Sequence, residues 1–213
     1  MRAALFHVHV SNVFLALEAR NQGIERATIP FHVLHNIIGA PSLTHQKPDE
    51  CFTISGWDAA LLARCVGPTG TLYGFDIQQV ALDVTQVRLR DSGVSARLHL
   101  AGHETMSEHV DNEHAGAIRA VTFNLGYLPG GDKTITTHAE TTHAALKAAR
   151  ELLAPDGVIS LVCYRHAEGE RELTLLREYL ATWPQERYTC TETQFVNQQN
   201  TPPVAFFIKS RNV

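Results

Sequence analysis

The sequence predicts an open α/β fold: a mostly parallel, seven-stranded sheet with helices on both faces and an antiparallel hairpin at one edge. Two observations support this class. After residue 49, short apolar strand patterns alternate with helical patterns, as in βα units. Near the end of the chain, two strand patterns follow each other without a helix between them, which predicts the hairpin. The 213 residues suffice for one core, so we predict a single domain over 28–213, preceded by an extension over 1–27.

The first half of the chain contains four predicted helices and three predicted strands. A helical pattern over 10–19 lies in the extension, and 29–39 is an amphipathic helix with Pro at its start and Gly at its end. After a polar connection come strands over 50–54, 71–75 and 97–100, separated by helices over 58–66 and 79–91. The residues predicted to face inward on these two helices are Leu61, Leu62, Cys65, Val80, Val84, Val87 and Leu89.

In the second half, 105–109 is at most a short helix, and a buried strand ends at Phe123. Thr137 and Glu140 have the spacing of a capping box, so a helix is expected over 140–153. A turn at Pro155-Asp156-Gly157 leads to a strongly apolar strand over 158–164. The last three elements are a helix over 170–182 and the hairpin strands over 188–194 and 204–209.

Composition excludes several classes of function. A net charge of −4 gives no overall basic field that would attract nucleic acid, although a local patch could suffice. The four cysteines form no CxxC pair, which favours a reduced, intracellular chain without a metal framework. No segment approaches the roughly 20 apolar residues of a membrane span. The first 17 residues resemble an organelle transit sequence only faintly, so the cytoplasm is the expected compartment, with a mitochondrion or plastid as the alternative.

Polar residues follow the first three predicted strands, at the edge of an α/β sheet where ligands bind. Gly56 and Asp58 lie between the first strand and its helix, where a helix N-terminus favours polar or anionic groups. Asp76 ends the second strand, at the spacing of a carboxylate that accepts bonds from two ribose hydroxyls. Alternatively, Gly56 is only a turn and Asp76 a helix N-cap. Gly102 and His103 could line an adenine pocket or form a plain turn.

The most informative stretch follows Phe123 and reads Asn124-Leu125-Gly126-Tyr127-Leu128-Pro129-Gly130-Gly131-Asp132-Lys133. It combines an amide, a tight turn and an aromatic ring. An amine nucleophile needs an acceptor for its N–H and a flat wall beside it, and Asn124 and Tyr127 could supply both. As an isolated pattern, the stretch is more often a strand-ending turn rich in Gly and Pro.

Three segments resemble one family, the class I S-adenosylmethionine-dependent methyltransferases with a Rossmann-like fold that were once called rRNA methylases. Their assigned substrate is the wobble uridine, U34, of tRNA carrying a 5-aminomethyl group, and their reaction is methyl transfer to its exocyclic amine. The resemblance runs from about residue 30 to residue 209. The three segments are Gly74-Phe75-Asp76-Ile77-Gln78, Phe123 to Thr137, and Gln194 to Pro203.

The resemblance implies S-adenosylmethionine as cofactor and a set of site residues, with no metal among them. Asn124 and Tyr127 take the place of the N-P-P-Y-type motif of amine-methylating enzymes, so they are the implied catalytic pair. The residues implied to hold the cofactor are Glu50, Gly56, Asp58, Asp76, Ile77, Gly102, His103 and Asn124. The residues implied to contact the substrate are Leu125, Gly126, Lys133, Asn197 and Asn200. The implied partner is the anticodon region of tRNA, and a homodimer is also compatible with the resemblance.

One loop departs from the family pattern. The family's Asp-Ala-Thr-x-Gly-Asn-Gly-His-Asp corresponds here to Glu50-Cys51-Phe52-Thr53-Ile54-Ser55-Gly56-Trp57-Asp58. Ile54 replaces a glycine, and a β-branched residue resists positive φ and adds bulk where the methionine moiety would pass. The departure supports a second hypothesis: a methyltransferase fold without catalysis, serving as a structural or RNA-binding subunit of a larger RNA–protein assembly.

Overall fold

The computed structural model describes residues 57–67, 70–90, 95–126, 136–165, 167–199 and 201–211, and the backbone alone over 12–17. The strands are β1 (Asn12–Leu17), β2 (Thr71–Asp76), β3 (Ser95–Leu100), β4 (Ile118–Leu125), β5 (Leu153–Cys163), β6 (Tyr188–Thr193) and β7 (Val204–Ser210). The helices are α1 (Trp57–Val66), α2 (Gln79–Leu89), α3 (Met106–His109), α4 (Ala139–Leu152) and α5 (Ala167–Ala181). Short 3₁₀ turns at His103–Thr105 and Asn112–His114 flank α3.

The strands form one seven-stranded sheet in the order β3-β2-β1-β4-β5-β7-β6. Five strands, β2 to β6, run in one direction, whereas β1 and β7 run in the other. Of the neighbouring pairs, only β2 with β3 and β4 with β5 are parallel. The predicted seven strands and the hairpin of β6 and β7 are therefore present, but the sheet is mixed, and the mostly parallel arrangement is not confirmed.

The mixed character comes from β1, which lies between β2 and β4 and is antiparallel to both. A helix was predicted over 10–19, and that prediction is wrong: Asn12–Leu17 is a strand. A short apolar run fits a buried strand as well as a helix, because six residues are too few for periodicity to separate the two. The predicted helix over 29–39 and the predicted strand over 50–54 lie outside the described residues.

Helices cover both faces of the sheet, and a separate apolar core lies under each. The larger core joins residues of β2, β4, β5 and β7 to α3, α4 and α5, and it includes Phe75, Phe123 and Leu146. The smaller core packs α1 and the end of α2 against Leu72 and Ala120. Because side chains alternate along a strand, the two cores show which residues of β2 and β4 face which helices.

The buried face of α2 differs from the predicted one. Val80 and Val87 are 56% and 60% exposed, and the buried residues are Ala81, Leu82, Thr85 and Leu89. Only Leu89 among these was predicted. Apolar residues occur all around this helix, so their pattern does not define one stripe. On α1, Leu62 is buried as predicted, but Cys65 is exposed.

The remaining elements match their predictions within a few residues, except that β5 begins at Leu153 and so includes the predicted turn at 155–157. Two further differences concern the site. The strand β4 continues past Phe123 to Leu125, so Asn124 belongs to the strand rather than to the loop. The predicted capping box at Thr137 is not formed, because His138 is the N-cap of α4. The hydroxyl of Thr137 donates instead to Glu172.

Because the strands from β2 to β6 run in the same direction, their carboxyl ends all lie at one edge of the sheet, which we call the carboxyl edge. Of the predicted site residues that the structure describes, Asp76, Gly102, Asn124 and Asn197 lie in or directly after strand ends at this carboxyl edge. None of the helices that the structure describes has both the length and the apolar character needed to cross a bilayer.

Candidate functional site

Asp76 and Asn124 lie on the same face of the sheet at its carboxyl edge. Phe75 and Phe123 both pair with Val13 of β1, so Asp76 and Asn124 stand level with each other, one strand apart on either side. Adjacent strands are about 4.8 Å apart, which places the two backbones about 10 Å from each other. By alternation with the larger core, both side chains are on the face covered by α1 and α2.

The carboxylate of Asp76 is buried and only partly satisfied. The residue is 2% exposed. Its Oδ1 accepts a hydrogen bond from the backbone N–H of Gln78 at 2.8 Å, whereas Oδ2 has no partner within the described part of the chain. Burial raises the pKa of Asp76 from 3.8 to about 7, against the opposing effect of the N–H groups of Gln78 and Ile77. A buried acceptor without a donor is costly, so this oxygen is suited to a ligand that brings a hydroxyl.

Apolar side chains surround the end of β2. Ile77 follows Asp76 and is 52% exposed, and Leu100, which pairs with Asp76 across β2 and β3, is 57% exposed. The backbone N–H of Ala101 donates to the carbonyl of Asp76 at 3.1 Å, which joins the ends of the two strands. At this point of the carboxyl edge a buried carboxylate therefore lies next to two exposed aliphatic side chains.

His103 occupies the core rather than the surface of this edge. It is 9% exposed, and its ring packs against Phe123 in a T-shaped arrangement at a centroid distance of 6.2 Å. Burial lowers the pKa of His103 to about 4, so the imidazole is neutral at pH 7. The preceding Gly102 has φ −66, and a Cβ there would meet only the flexible carboxylate of Glu104. The backbone does not need glycine at this point.

Comparison with known proteins identifies the family. The sequence profile of the family described as "Putative rRNA methylase" matches residues 72–209, which include Asp76, Asn124, the strands from β3 to β6 and all but the last residue of β7. The chain belongs to this rRNA methylase family. A curated relative from Arabidopsis thaliana, named "tRNA (mnm(5)s(2)U34)-methyltransferase, chloroplastic", is 38% identical over 154 residues. The match covers 69% of this chain and 55% of the relative, so the chain spans little more than half of that protein's length.

Solved structures of similar proteins agree with the fold. A protein from Clostridium thermocellum titled "putative rRNA-methylase" is 38% identical, with a TM-score of 0.68, and the alignment covers 73% of this chain and 83% of that one. SMU.1697c from Streptococcus mutans, "a putative methyltransferase" solved in complex with SAH, is 30% identical with a TM-score of 0.63 and the same coverage. The Rossmann-like α/β class predicted from the sequence is thus confirmed at the level of the family.

The residues of the family motif in β4 are buried. Asn124 is 4% exposed, and Leu125 is 0% exposed within the larger core, so Leu125 could reach a substrate only through its backbone. Gly126 is also buried, and its carbonyl accepts the backbone N–H of Thr137 at 3.1 Å. Several site residues suggested by the resemblance lie outside the described residues: Glu50, Gly56, Tyr127, Lys133 and Asn200. The same holds for Ile54, which departs from the family pattern. Of Asp58, the structure gives the backbone, in the first turn of α1.

The loop between β6 and β7 leaves the same carboxyl edge, since β6 ends there and β7 begins there. Asn197 in this loop is exposed, beside Phe195 at 36% and Val196 at 100% exposure. At the start of the loop, Glu192 of β6 accepts two hydrogen bonds from Arg177 of α5, at 2.9 and 2.6 Å. The loop therefore presents amides and apolar side chains to solvent at the predicted substrate side.

Two groups of polar residues were not found from the sequence. Glu172 of α5 is 0% exposed and binds two threonines near the family motif. Away from the carboxyl edge, Asp111, Glu113 and His114 place three ligand atoms within 4.8 Å of one another. Asp111 also pairs with Arg97 at 2.5 Å, and the His114 Nδ1 is 2.7 Å from the hydroxyl of Tyr73. These contacts give the second group a structural explanation.

Proposed function

We propose that the chain is an S-adenosylmethionine-dependent N-methyltransferase that acts on the 5-aminomethyl group of the wobble uridine in tRNA. The observation that carries this proposal is the pair Asp76 and Asn124, level with each other on one face of the carboxyl edge. The relatives' names support it, since one is a tRNA methyltransferase for mnm5s2U34 and another was solved with SAH.

The described residues fit the cofactor. The unpartnered Oδ2 of Asp76 can accept a ribose hydroxyl, and its raised pKa would fall when the hydroxyls bind the ionised form. Ile77 and Leu100, both more than half exposed, can enclose the adenine ring. Covering them would remove apolar surface from water at about 25 cal/mol per Å².

When bound, S-adenosylmethionine supplies an electrophilic methyl group on its sulfonium sulfur. Asn124 can accept an N–H of the substrate amine, which fixes the direction of the nitrogen lone pair. The amine must be neutral to react, and desolvation lowers the pKa of an alkyl ammonium from about 10. The proton released from the methylated nitrogen passes to water. Positioning of this kind supplies a large part of the rate without a nucleophilic residue.

For the RNA, we propose that the β6–β7 loop contacts the anticodon region. Phe195 and Val196 are exposed next to Asn197, and exposed rings stack on unpaired bases. The name of the Arabidopsis relative includes "chloroplastic", which supports the plastid among the compartments considered above.

A second candidate is a non-catalytic methyltransferase fold in a larger RNA–protein assembly. The observation that favours it is β1, which runs antiparallel to β2 and β4. As a result the amino end of β1, rather than a carboxyl end, lies between Asp76 and Asn124. In open α/β sheets the loops that follow the strands bind the ligand. Because β1 runs in the opposite direction, the loop that follows it does not lie at this edge.

Methyl transfer to two forms of one tRNA distinguishes these functions. Labelled S-adenosylmethionine is incubated with the chain and with tRNA that carries 5-aminomethyl-2-thiouridine at the wobble position, or with the same tRNA lacking the modification. We expect label only in the modified tRNA, as the monomethylated amine. Equal labelling of both tRNAs would contradict the proposed acceptor. Absence of transfer to either tRNA would favour the non-catalytic fold.

A further inference from the structure

A buried glutamate of α5 is tied to the segment that follows Asn124. Glu172 is 0% exposed and lies one helical turn before Leu176, on the stripe of α5 that packs into the larger core. Both of its carboxylate oxygens are bonded: Oε2 accepts from the hydroxyl of Thr137 at 3.0 Å, and Oε1 from the hydroxyl of Thr142 at 2.7 Å.

Thr137 joins Glu172 to the end of β4. The backbone N–H of Thr137 donates to the carbonyl of Gly126 at 3.1 Å, and Gly126 is two residues after Asn124. Gly126 and Thr137 are thus held against each other, with Glu172 bonded to Thr137. Thr142 lies within α4, so it does not take part in this closing contact.

A second glutamate of α5 holds the same region. Glu168, one turn before Glu172, accepts a hydrogen bond from the backbone N–H of Ala139 at 3.3 Å, the first residue of α4. The hydroxyl of Thr137 and the first N–H of α4 are therefore both bound by carboxylates of α5. An apolar side chain in place of Glu172 would fill the core without the cost of burying an acid, so core packing alone does not account for this carboxylate.

We propose that Glu172 is a positioning residue: by holding Thr137 it maintains the Gly126–Thr137 contact, and through this contact it fixes Asn124 relative to the amine that is methylated. The inference rests on the proposed function, because Asn124 is the residue that meets the amine. Small displacements of a positioning group reduce the rate of reaction steeply, so loss of this bond affects turnover more than the binding of either substrate.

Two matched substitutions test the proposal. Thr137→Val and Thr142→Val each remove one hydroxyl donor from the same carboxylate at nearly constant volume, but only Thr137 makes the closing contact. We expect Thr137→Val to lower kcat about tenfold while KM for tRNA and the affinity for S-adenosylmethionine stay within about twofold. Thr142→Val should leave kcat within about twofold. Equal losses of kcat in both variants, or no loss in either, would overturn the proposal.

Hydrogen exchange of the peptide 126–137 provides a readout that does not depend on activity. We expect exchange to become about tenfold faster in Thr137→Val and to stay unchanged in Thr142→Val, with both variants measured under conditions where they are folded. Equal exchange in the two variants would overturn the positioning role. If this difference is observed but the protein transfers no methyl group, the proposed function is refuted. The role of the Glu172–Thr137 bond in holding Thr137 against Gly126 is then still established.

Discussion

Replacing Asp76 with Asn is expected to make the folded chain more stable at neutral pH and to weaken cofactor binding at least tenfold. The stability gain follows from the pKa of Asp76, which burial raises from 3.8 to about 7. Three pKa units correspond to about 4 kcal/mol, of which we expect about 2 to 4 kcal/mol to be recovered in the variant.

The size of this stability gain depends on pH. Below about pH 4, Asp76 is protonated in the folded and unfolded chains alike, so it contributes nothing to the difference between them. As the pH rises from about 4 to 7, only the unfolded chain ionises, and the free energy of unfolding of the wild type falls. The amide that Asp76→Asn introduces cannot ionise. The stability advantage of this variant should therefore be near zero at low pH and complete above pH 7, as measured by urea unfolding.

The loss of affinity follows from the hydrogen bonds that the carboxylate would make to ribose hydroxyls. Charge-assisted bonds are worth roughly 1.5 to 3 kcal/mol, or about tenfold or more in affinity. Asp83→Asn is a matched control, since Asp83 is exposed on α2 and its Oδ1 accepts from Gln79 at 2.8 Å. The control should change neither quantity appreciably. A destabilised Asp76→Asn variant with wild-type affinity would contradict both parts of the prediction.

Asn124→Ala is expected to reduce methyl transfer about 100-fold, while the affinity for S-adenosylmethionine falls much less. The reason is that the side chain is assigned to the reacting amine, and removal of one preorganised polar group from an active site typically costs this much in rate. The measurement is single-turnover transfer to the modified tRNA at saturating cofactor, together with calorimetric titration of the cofactor.

Thr122→Val is the matched control for this substitution. Thr122 lies two residues before Asn124 on the same strand and face, is 3% exposed, and has a hydroxyl without a partner in the described ranges. Valine has nearly the same shape, so transfer should be unchanged and stability equal or slightly higher. Equal losses of cofactor affinity and of transfer in Asn124→Ala would make Asn124 a structural residue of β4.

Much of the fold could be predicted from the sequence because its elements carry strong local patterns. The strands β2, β4, β5 and β7 contain short apolar runs, and α4 has a clear amphipathic pattern with Leu146 in the core. The strand β1 was predicted as a helix because its six residues, five of them apolar, are too few to show a decisive period. The inward face of α2 was misassigned because Val80 and Val87 are apolar but exposed, and their position depends on how the helix packs on the sheet.

Some residues of the candidate site could be predicted from the sequence, and others could not. The positions of Asp76 and Asn124 at the ends of β2 and β4 could be predicted, because the ends of strands in an α/β sheet are where ligands bind. Glu172 could not, because it meets Thr137 and Thr142 across 35 and 30 residues of chain. A local signal was present, since an acid four residues before Leu176 falls on the apolar stripe of its helix.

The most direct test of the central claim is calorimetric titration of the chain with S-adenosylmethionine at pH 6, 7 and 8. The account predicts binding that is about tenfold weaker at pH 6 than at pH 8, because the ligand requires the ionised form of Asp76, whose pKa is about 7. This dependence on pH should disappear in Asp76→Asn. Absence of binding at millimolar cofactor, or an affinity that is the same at all three pH values, would contradict the assignment of the ribose to Asp76.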